Sequence, residues 1–344
     1  MKEIADTKYH LLLENIGISL EKGRNNAAKS INRELLLTKW EIGQHIIEFE
    51  QHGNEKAEYG SDLLNRLSND LKTLHGKGFS RRSILDMRRF YICFPIWQTV
   101  SAKLSWSHYV ELIGLKDDFE RSFYEKQAIK ENWGVRELQR QKDSSLFQRL
   151  ALSKNKKEIL ALSEKGQVIG KGEDLIKDPY VLEFLNISES RNFTEKDLEQ
   201  KIIDNLQQFL LELGKGFAFI GRQYRITLNN THYYIDLVFY HRLLRCFVLI
   251  DLKTKKIDHA DIGQMSLYLG YFKKEEMVEG ENQPVGIILS KEKDEILVEY
   301  ATVDLTKNLF VSEYQLYLPD KKVLERQLNR ILNELNMPEN TEQL

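Results

Sequence analysis

The sequence predicts an α+β protein, an all-α N-terminal half followed by an α/β domain. Three observations carry this. In the first half, apolar residues recur at helical spacing. At 217–253 the spacing shortens, and YYIDLVFYHRLLRCFVLIDLK reads as two apolar strands joined by a short turn. A helical stretch at 260–273 then separates those strands from another apolar run at 285–290, the order expected of a sheet covered by helices.

In the first half, Ala28, Ile31, Leu35, Ile42, Ile46 and Phe49 fall on one stripe and mark a long amphipathic helix. A second helix is expected over 59–73. HGKGFS makes a turn, and Ser80 is a suitable N-cap for a helix that runs to about Cys93 and closes before Pro95. Shorter helices are expected at 106–114, 117–131 and 134–151, which completes a helical domain over 1–151. A helix, a glycine-containing turn and a basic helix form the outline of a helix-turn-helix. From Lys72 to Arg89 the chain carries Lys72, Lys77, Arg81, Arg82, Arg88 and Arg89 against Asp86 alone.

The charged stretch 152–178 has weaker periodicity and is expected as a linker. The second domain is expected over 179–335. Its first helix starts at Thr194, with Asp197 three residues on, and stops at Gly214. Strands are expected at 217–228, 233–240 and 246–253, followed by the 260–273 helix and a strand at 285–290. Further strands are expected at 296–303 and 312–318, with a last helix at 320–335. The tail 336–344 is expected to be disordered.

Fourteen residues separate Asp236 from Asp251. An antiparallel hairpin with its midpoint between Leu243 and Leu244 sets these two acids opposite each other, about 5 Å apart at Cβ. Side chains alternate across a strand, so Lys253 shares a face with Asp251. Ile235, Leu237, Leu249, Ile250 and Leu252 imply that the strand pair is covered, and charges in such a place need a partner or a task. Two carboxylates beside an ammonium suit a divalent cation and phosphodiester hydrolysis. Asp236 and Asp251 would be the ligands, with the Leu252 carbonyl as a backbone donor and Lys253 orienting the attacking water and steadying the phosphate.

This D-x14-D-x-K spacing resembles the signature of the PD-(D/E)XK nuclease superfamily, and its surroundings resemble the YhcG-type branch. The segments that carry the resemblance are LLELGKGFAFIGRQYRI at 210–226, IDLVFYHRLLRCFVLIDLK at 235–253 and GQMSLYL at 263–269. LSWSHYVELI at 104–113 and SFYEKQAIKENWGVRELQRQ at 122–141 extend it into the N-terminal half. One departure is Asp251, where close relatives are expected to carry Glu. The resemblance implies a restriction-endonuclease-like αβββαβ core and cleavage of DNA with Mg2+ or Mn2+. It also implies a helical acid near the site, for which Glu199 is the candidate; Glu212 is another acid on the same stretch. Gln264 and Tyr268 resemble the Q-x-x-x-Y motif of the RecB-like branch, in which these side chains line the site and touch DNA. Arg222, Gln223 and Tyr224 are further candidates for phosphate contact. In a nuclease the basic run also gains a purpose, so Lys77, Arg81, Arg82, Arg88 and Arg89 are expected to contact DNA. One site per chain suits a homodimer when both strands are cut. A nuclease fold that holds DNA or a partner without cutting is the competing class, and RNA is an alternative substrate.

Net charge is −2 over 344 residues, so the chain as a whole is not a basic nucleic-acid binder. No apolar run approaches the roughly 20 residues of a membrane span. Cys93 and Cys246 are the two cysteines, and MKEIADTKYH lacks the apolar core of a secretion signal, so a reduced, cytoplasmic setting is expected. No zinc pattern appears, and GKGFAFIG lacks the G-K-[ST] ending of a nucleotide loop, so no nucleotide cofactor is expected.

Overall fold

The computed structural model of the chain describes residues 2–52, 58–152, 156–188, 193–292, 308–318 and 320–334. It divides into two compact units, Met1–Gln139 and Arg140–Leu344. Among the described residues no helix is long and apolar enough to cross a membrane.

The first unit holds α1 (Lys2–His52), α2 (Glu58–His75), α3 (Arg81–Cys93), α4 (Trp106–Leu112), α5 (Asp118–Glu131) and most of α6 (Val135–Asp143). The side chain of Ser80 caps α3 by accepting the Ser83 amide at 3.1 Å, as its sequence position predicts. Ile84, Met87 and Phe90 form the buried face of α3. The apolar stripe expected on α1 is rotated. Leu36, Gly43 and Ile46 face the packed side, whereas Ile31, Leu35 and Phe49 are exposed at 63%, 55% and 62%. The reason is Gly43. A Cβ built there would lie 2.2 Å from the Met87 carbonyl oxygen, so α3 is seated directly on the α1 backbone. A glycine adds nothing to an apolar count, and the stripe drawn through larger residues missed it.

The second unit begins with α7 (Leu146–Leu152) and α8 (Lys156–Lys165). Both lie where sequence suggested the end of the helical domain and a linker. Segment 156–178 is helical in part, and Ile159, Leu162, Leu175, Ile176 and Lys177 are buried. Its charges are therefore not those of a free tether. The single helix expected from Thr194 to Gly214 is two helices, α9 (Glu195–Asp204) and α10 (Leu206–Leu213). Asn205 breaks it. Its side-chain amide donates to the Lys201 carbonyl at 2.9 Å, competing with the helix's own ladder.

Among the described residues the sheet has six strands, β1 (Tyr180–Val181), β2 (Phe217–Leu228), β3 (Thr231–His241), β4 (Cys246–Lys256), β5 (Val285–Glu292) and β6 (Leu309–Gln315), in the order β1-β6-β5-β4-β3-β2. β2, β3 and β4 are antiparallel neighbours, and β4, β5, β6 and β1 run parallel. β1 was not anticipated, since two residues give no periodicity. The strand expected at 296–303 and the tail 336–344 lie outside the described residues. Helices cover both faces, as a partly parallel sheet requires. α9 and α10 place Leu198, Ile202, Phe209 and Leu213 on a core with Leu237, Phe239, Val248, Ile250 and Leu252. On the other face, α11 (His259–Tyr271) places Ile262, Met265, Tyr268 and Leu269 against Ile226, Ile235, Val238, Leu249 and Ile288. α12 (Lys321–Glu334) ends the described chain.

Candidate active site

The β3–β4 ladder runs from Leu237 opposite Ile250 to His241 opposite Cys246, the register that sets Asp236 against Asp251. Beyond Leu237 the strands part, and Asp236 bridges the opening. One carboxylate oxygen accepts the Leu252 amide at 2.8 Å and the other accepts the Gln223 side-chain amide at 3.0 Å. The same Gln223 nitrogen donates to Glu199 at 2.6 Å. Glu199 is buried on α9, so the helical acid does reach the site, but through Gln223. Gln223 has a left-handed backbone (φ +46°), strained for a residue with a side chain. That twist lets Arg222 and Gln223 both reach α9, Arg222 donating to Gln200 at 2.8 Å.

Asp251 is 3% exposed. The Lys253 ammonium lies 2.9 Å from its Oδ2 and 3.3 Å from Asp261 Oδ1. Asp261 stands at the start of α11, its side chain accepting the Asp258 amide in a reciprocal cap. It was not among the sequence candidates; the D-x-x-D spacing at 258–261, just after the motif strand, was the signal available. Burial, and then the neighbouring Asp236 charge, push the Asp251 carboxyl up from 3.8 to about 7 in spite of Lys253. Burial likewise raises Asp236. For Lys253, burial works to lower the ammonium, but Asp251, Asp261 and Glu195 together outweigh it and its pKa is raised. The lysine is therefore held as a cation between Asp251 and a second acid, Asp261.

A carboxyl raised by burial and by the neighbouring Asp236 charge is short of positive charge. Asp251 Oδ2 is buried and accepts no well-aligned hydrogen bond, although Lys253 is near. All the donors are hard oxygens, which suits Mg2+ or Mn2+. Among the described residues no three His, Cys, Asp or Glu side chains close into a cage. Mg2+ does not need one, since it is commonly held by one or two carboxylates with water and phosphate completing the shell. The residues fit the ion.

Other candidates stand differently. Tyr268 is fully buried and its hydroxyl donates to the Tyr234 carbonyl at 2.9 Å, while the Gln264 amide donates to that same hydroxyl. This corrects Tyr268 as a DNA contact: the pair braces the β2–β3 ribbon from behind. The Tyr224 hydroxyl donates to Glu276 at 3.1 Å. Glu212 is fully buried against Arg149 at 2.5 Å, which makes it part of an internal ion cluster away from Asp236. In the helical unit, Lys77, Arg81, Arg82 and Arg89 are exposed. Arg88 is not free, because Glu50 accepts from its Nε at 2.8 and 3.0 Å and lies 2.7 Å from Nη2. Lys72, Gly76, Lys77, Gly78 and Ser80 line an open pocket of about 440 Å³ at the α2–α3 turn.

A mixed sheet between helices, with D-x14-D-x-K side chains gathered where two strands part, is the architecture of a PD-(D/E)XK nuclease. Residues 173–329 match the YhcG PDDEXK nuclease domain and residues 15–149 match the DUF1016 N-terminal domain. The YhcG protein of Escherichia coli (strain K12) is 36% identical over 354 aligned positions, covering 94% of each chain. This chain belongs to the YhcG family of nucleases. Two solved structures are more distant. A repair endonuclease from Pyrococcus abyssi has 20% identity and a TM-score of 0.26, over 38% of this chain and 50% of that one. EndoMS in complex with double-stranded DNA has 13% identity and a TM-score of 0.26, over 39% and 51%.

Proposed function

We propose that the protein is a metal-dependent DNA endonuclease that hydrolyses phosphodiester bonds in repair, restriction or defence, with Asp236 and Asp251 as metal ligands alongside the Leu252 carbonyl. The observation that carries this is the Asp251 carboxylate, buried beside Asp236 and left with Lys253 as its near cation. A bound Mg2+ or Mn2+ supplies charge neutralisation at the phosphate and acidity to the attacking water. The chain's own groups do the rest. Leu252 and Gln223 fix the Asp236 carboxylate by hydrogen bonds, and Gln223 ties Glu199 to it. Asp261 keeps the Lys253 ammonium over Asp251, where it orients the water and meets the phosphate. The full chain incubated with linear, nicked, branched and single-stranded DNA should cut in Mg2+ or Mn2+ and not in EDTA. Asp236→Ala, Asp251→Ala and Lys253→Ala should each lose cleavage. Parental rates in Asp251→Ala would sink the assignment.

The reading includes a homodimer and DNA contact by Lys77, Arg81, Arg82 and Arg89. Support for the dimer comes from α1, where Leu13, Ile16, Leu20 and Ile31 are exposed. With Ala27, Ile16, Leu20 and Ile31 form a palindromic spacing: antiparallel self-pairing sets Ile16 against Ile31, Leu20 against Ala27 and Glu14 against Arg33 of a second copy.

A further inference from the structure

The β2–β3 ribbon continues past the active site without the rest of the sheet. β3 pairs with β4 only from Leu237 onwards, yet it pairs with β2 as far as Leu228 opposite Thr231. Asn229 and Asn230 close the ribbon with φ of +45° and +61°, the backbone that a two-residue hairpin turn of the primed type requires. One face of this extension is covered, since Tyr224, Ile226, Tyr233 and Ile235 pack into the α11 core. The other face is open. Arg225 and Tyr234 are cross-strand partners on it, followed by Thr227 and His232, whose side chains meet at 2.9 Å. All four are exposed, the Tyr234 residue at 47%.

This open face adjoins the carboxylates. Tyr234 is two residues from Asp236 along β3, about 7 Å at the usual rise per residue, a distance of the order of one nucleotide step. Its charge also changes sign there. From Phe217 to Ile235 the ribbon has no Asp or Glu but carries Arg222 and Arg225, although acids outnumber bases 52 to 50 overall. An exposed aromatic paired with an arginine beside a phosphodiester site has the chemistry of a strand-binding platform. The ring offers a π-face to any base, and the guanidinium meets the backbone.

We propose that the open face of the β2–β3 ribbon binds the nucleotides flanking the scissile phosphate, with an unpaired base stacked on Tyr234 and a neighbouring phosphate held by Arg225. The partner is thus a nucleic-acid strand with unpaired bases next to the cleavage point. The proposal rests on the nuclease reading for the position of the scissile phosphate, and binding separates the two because it needs no cleavage.

The test is fluorescence anisotropy with the full chain in EDTA at two salt concentrations. The probes are a labelled DNA duplex with an unpaired 3′ tail and the same duplex blunt-ended. Tyr234→Ala should weaken binding to the tailed probe roughly tenfold, within the range of a single base–aromatic stack. The blunt probe should change by less than about twofold, and Tyr234→Trp should restore the tailed affinity. Arg225→Ala should weaken binding to both probes and lower the log–log salt slope by about 0.7–0.9, the loss of one phosphate contact. Parental affinity of Tyr234→Ala and Arg225→Ala for the tailed probe would overturn the platform. So would an equal loss on both probes that Trp does not rescue. If the parent cuts nothing in any metal while Tyr234→Ala still loses the tailed probe selectively, the platform stands and the nuclease reading falls.

Discussion

As the proposed metal ligand, Asp251 would couple metal binding to the protonation of the site. Its carboxyl titrates near 7 in the folded chain and near 3.8 when exposed. Between those values the native state holds a proton that the unfolded state has lost. Stability of the metal-free protein should therefore fall as pH rises through this window, and metal, which competes with the proton, should bind more tightly as pH passes about 7. Thermal unfolding in EDTA at about pH 5 and about pH 8 checks this, with Asp251→Asn as the reference. The parent should lose more stability between the two pH values than the variant does; identical losses would show that Asp251 ionises normally. At this scale much of the candidate site's geometry was legible. The two acids and Lys253 follow from the chemistry of the motif and from a hairpin register that hydrophobic patterning and a short turn define. Gln223 and Asp261 were not legible in these roles. Gln223 reaches two carboxylates only because its backbone is left-handed, and Asp261 matters only because α11 starts beside β4.

The helices show what patterning can and cannot fix. Ser80 and Thr194 were recognisable caps because N-cap chemistry is local. The face of α1 was not, since it depends on how closely another helix approaches. Gly43→Ala tests that contact. Alanine gains about 1 kcal/mol of helix propensity over glycine. The new Cβ, however, meets backbone atoms of Met87 at 2.2 and 2.9 Å, which cannot swing aside as a side chain could. Overpacking of this kind costs about 1–3 kcal/mol or more, so the balance is destabilising. The unfolding midpoint of the helical unit should drop by several degrees. No change, or a rise, would mean that α1 and α3 are further apart. The opposite, exposed face of α1 carries the dimer proposal. Ile31→Glu and Leu20→Glu should leave the fold intact, because both side chains are exposed, while shifting sedimentation from dimer to monomer. A parent that sediments as a monomer at micromolar concentration would end the dimer reading.

For the whole molecule, the question is whether two compact units share one substrate. Net charge is −2, so the proposed attraction to DNA would have to be local. Between Lys72 and Arg89 the exposed lysines and arginines are Lys72, Lys77, Arg81, Arg82 and Arg89, once Arg88 is set aside for its pairing with Glu50. Burial raises the Asp86 carboxyl, and the charges of Arg82 and Arg89 oppose the rise, so those two guanidinium groups already stabilise one anion on this helix. If α3 lies against DNA, reversing Arg81, Arg82 and Arg89 to Glu should weaken binding on every sequence tested. Each lost phosphate contact should lower the log–log salt slope by about 0.9 on duplex DNA. Arg88→Glu should behave differently. It places a carboxylate against Glu50 at an internal ion pair, so its first effect should be on the thermal midpoint of the helical unit. Metal affinity at Asp236 and Asp251 should stay at the parental value in the triple reversal, because residues 140–344 form a compact unit with their own core. Anisotropy titrations at two salt concentrations, with calorimetric Mn2+ binding alongside, separate these effects. A triple reversal with parental affinity and slope would place α3 against solvent or a protein partner, and recognition of DNA would then rest on the nuclease domain alone.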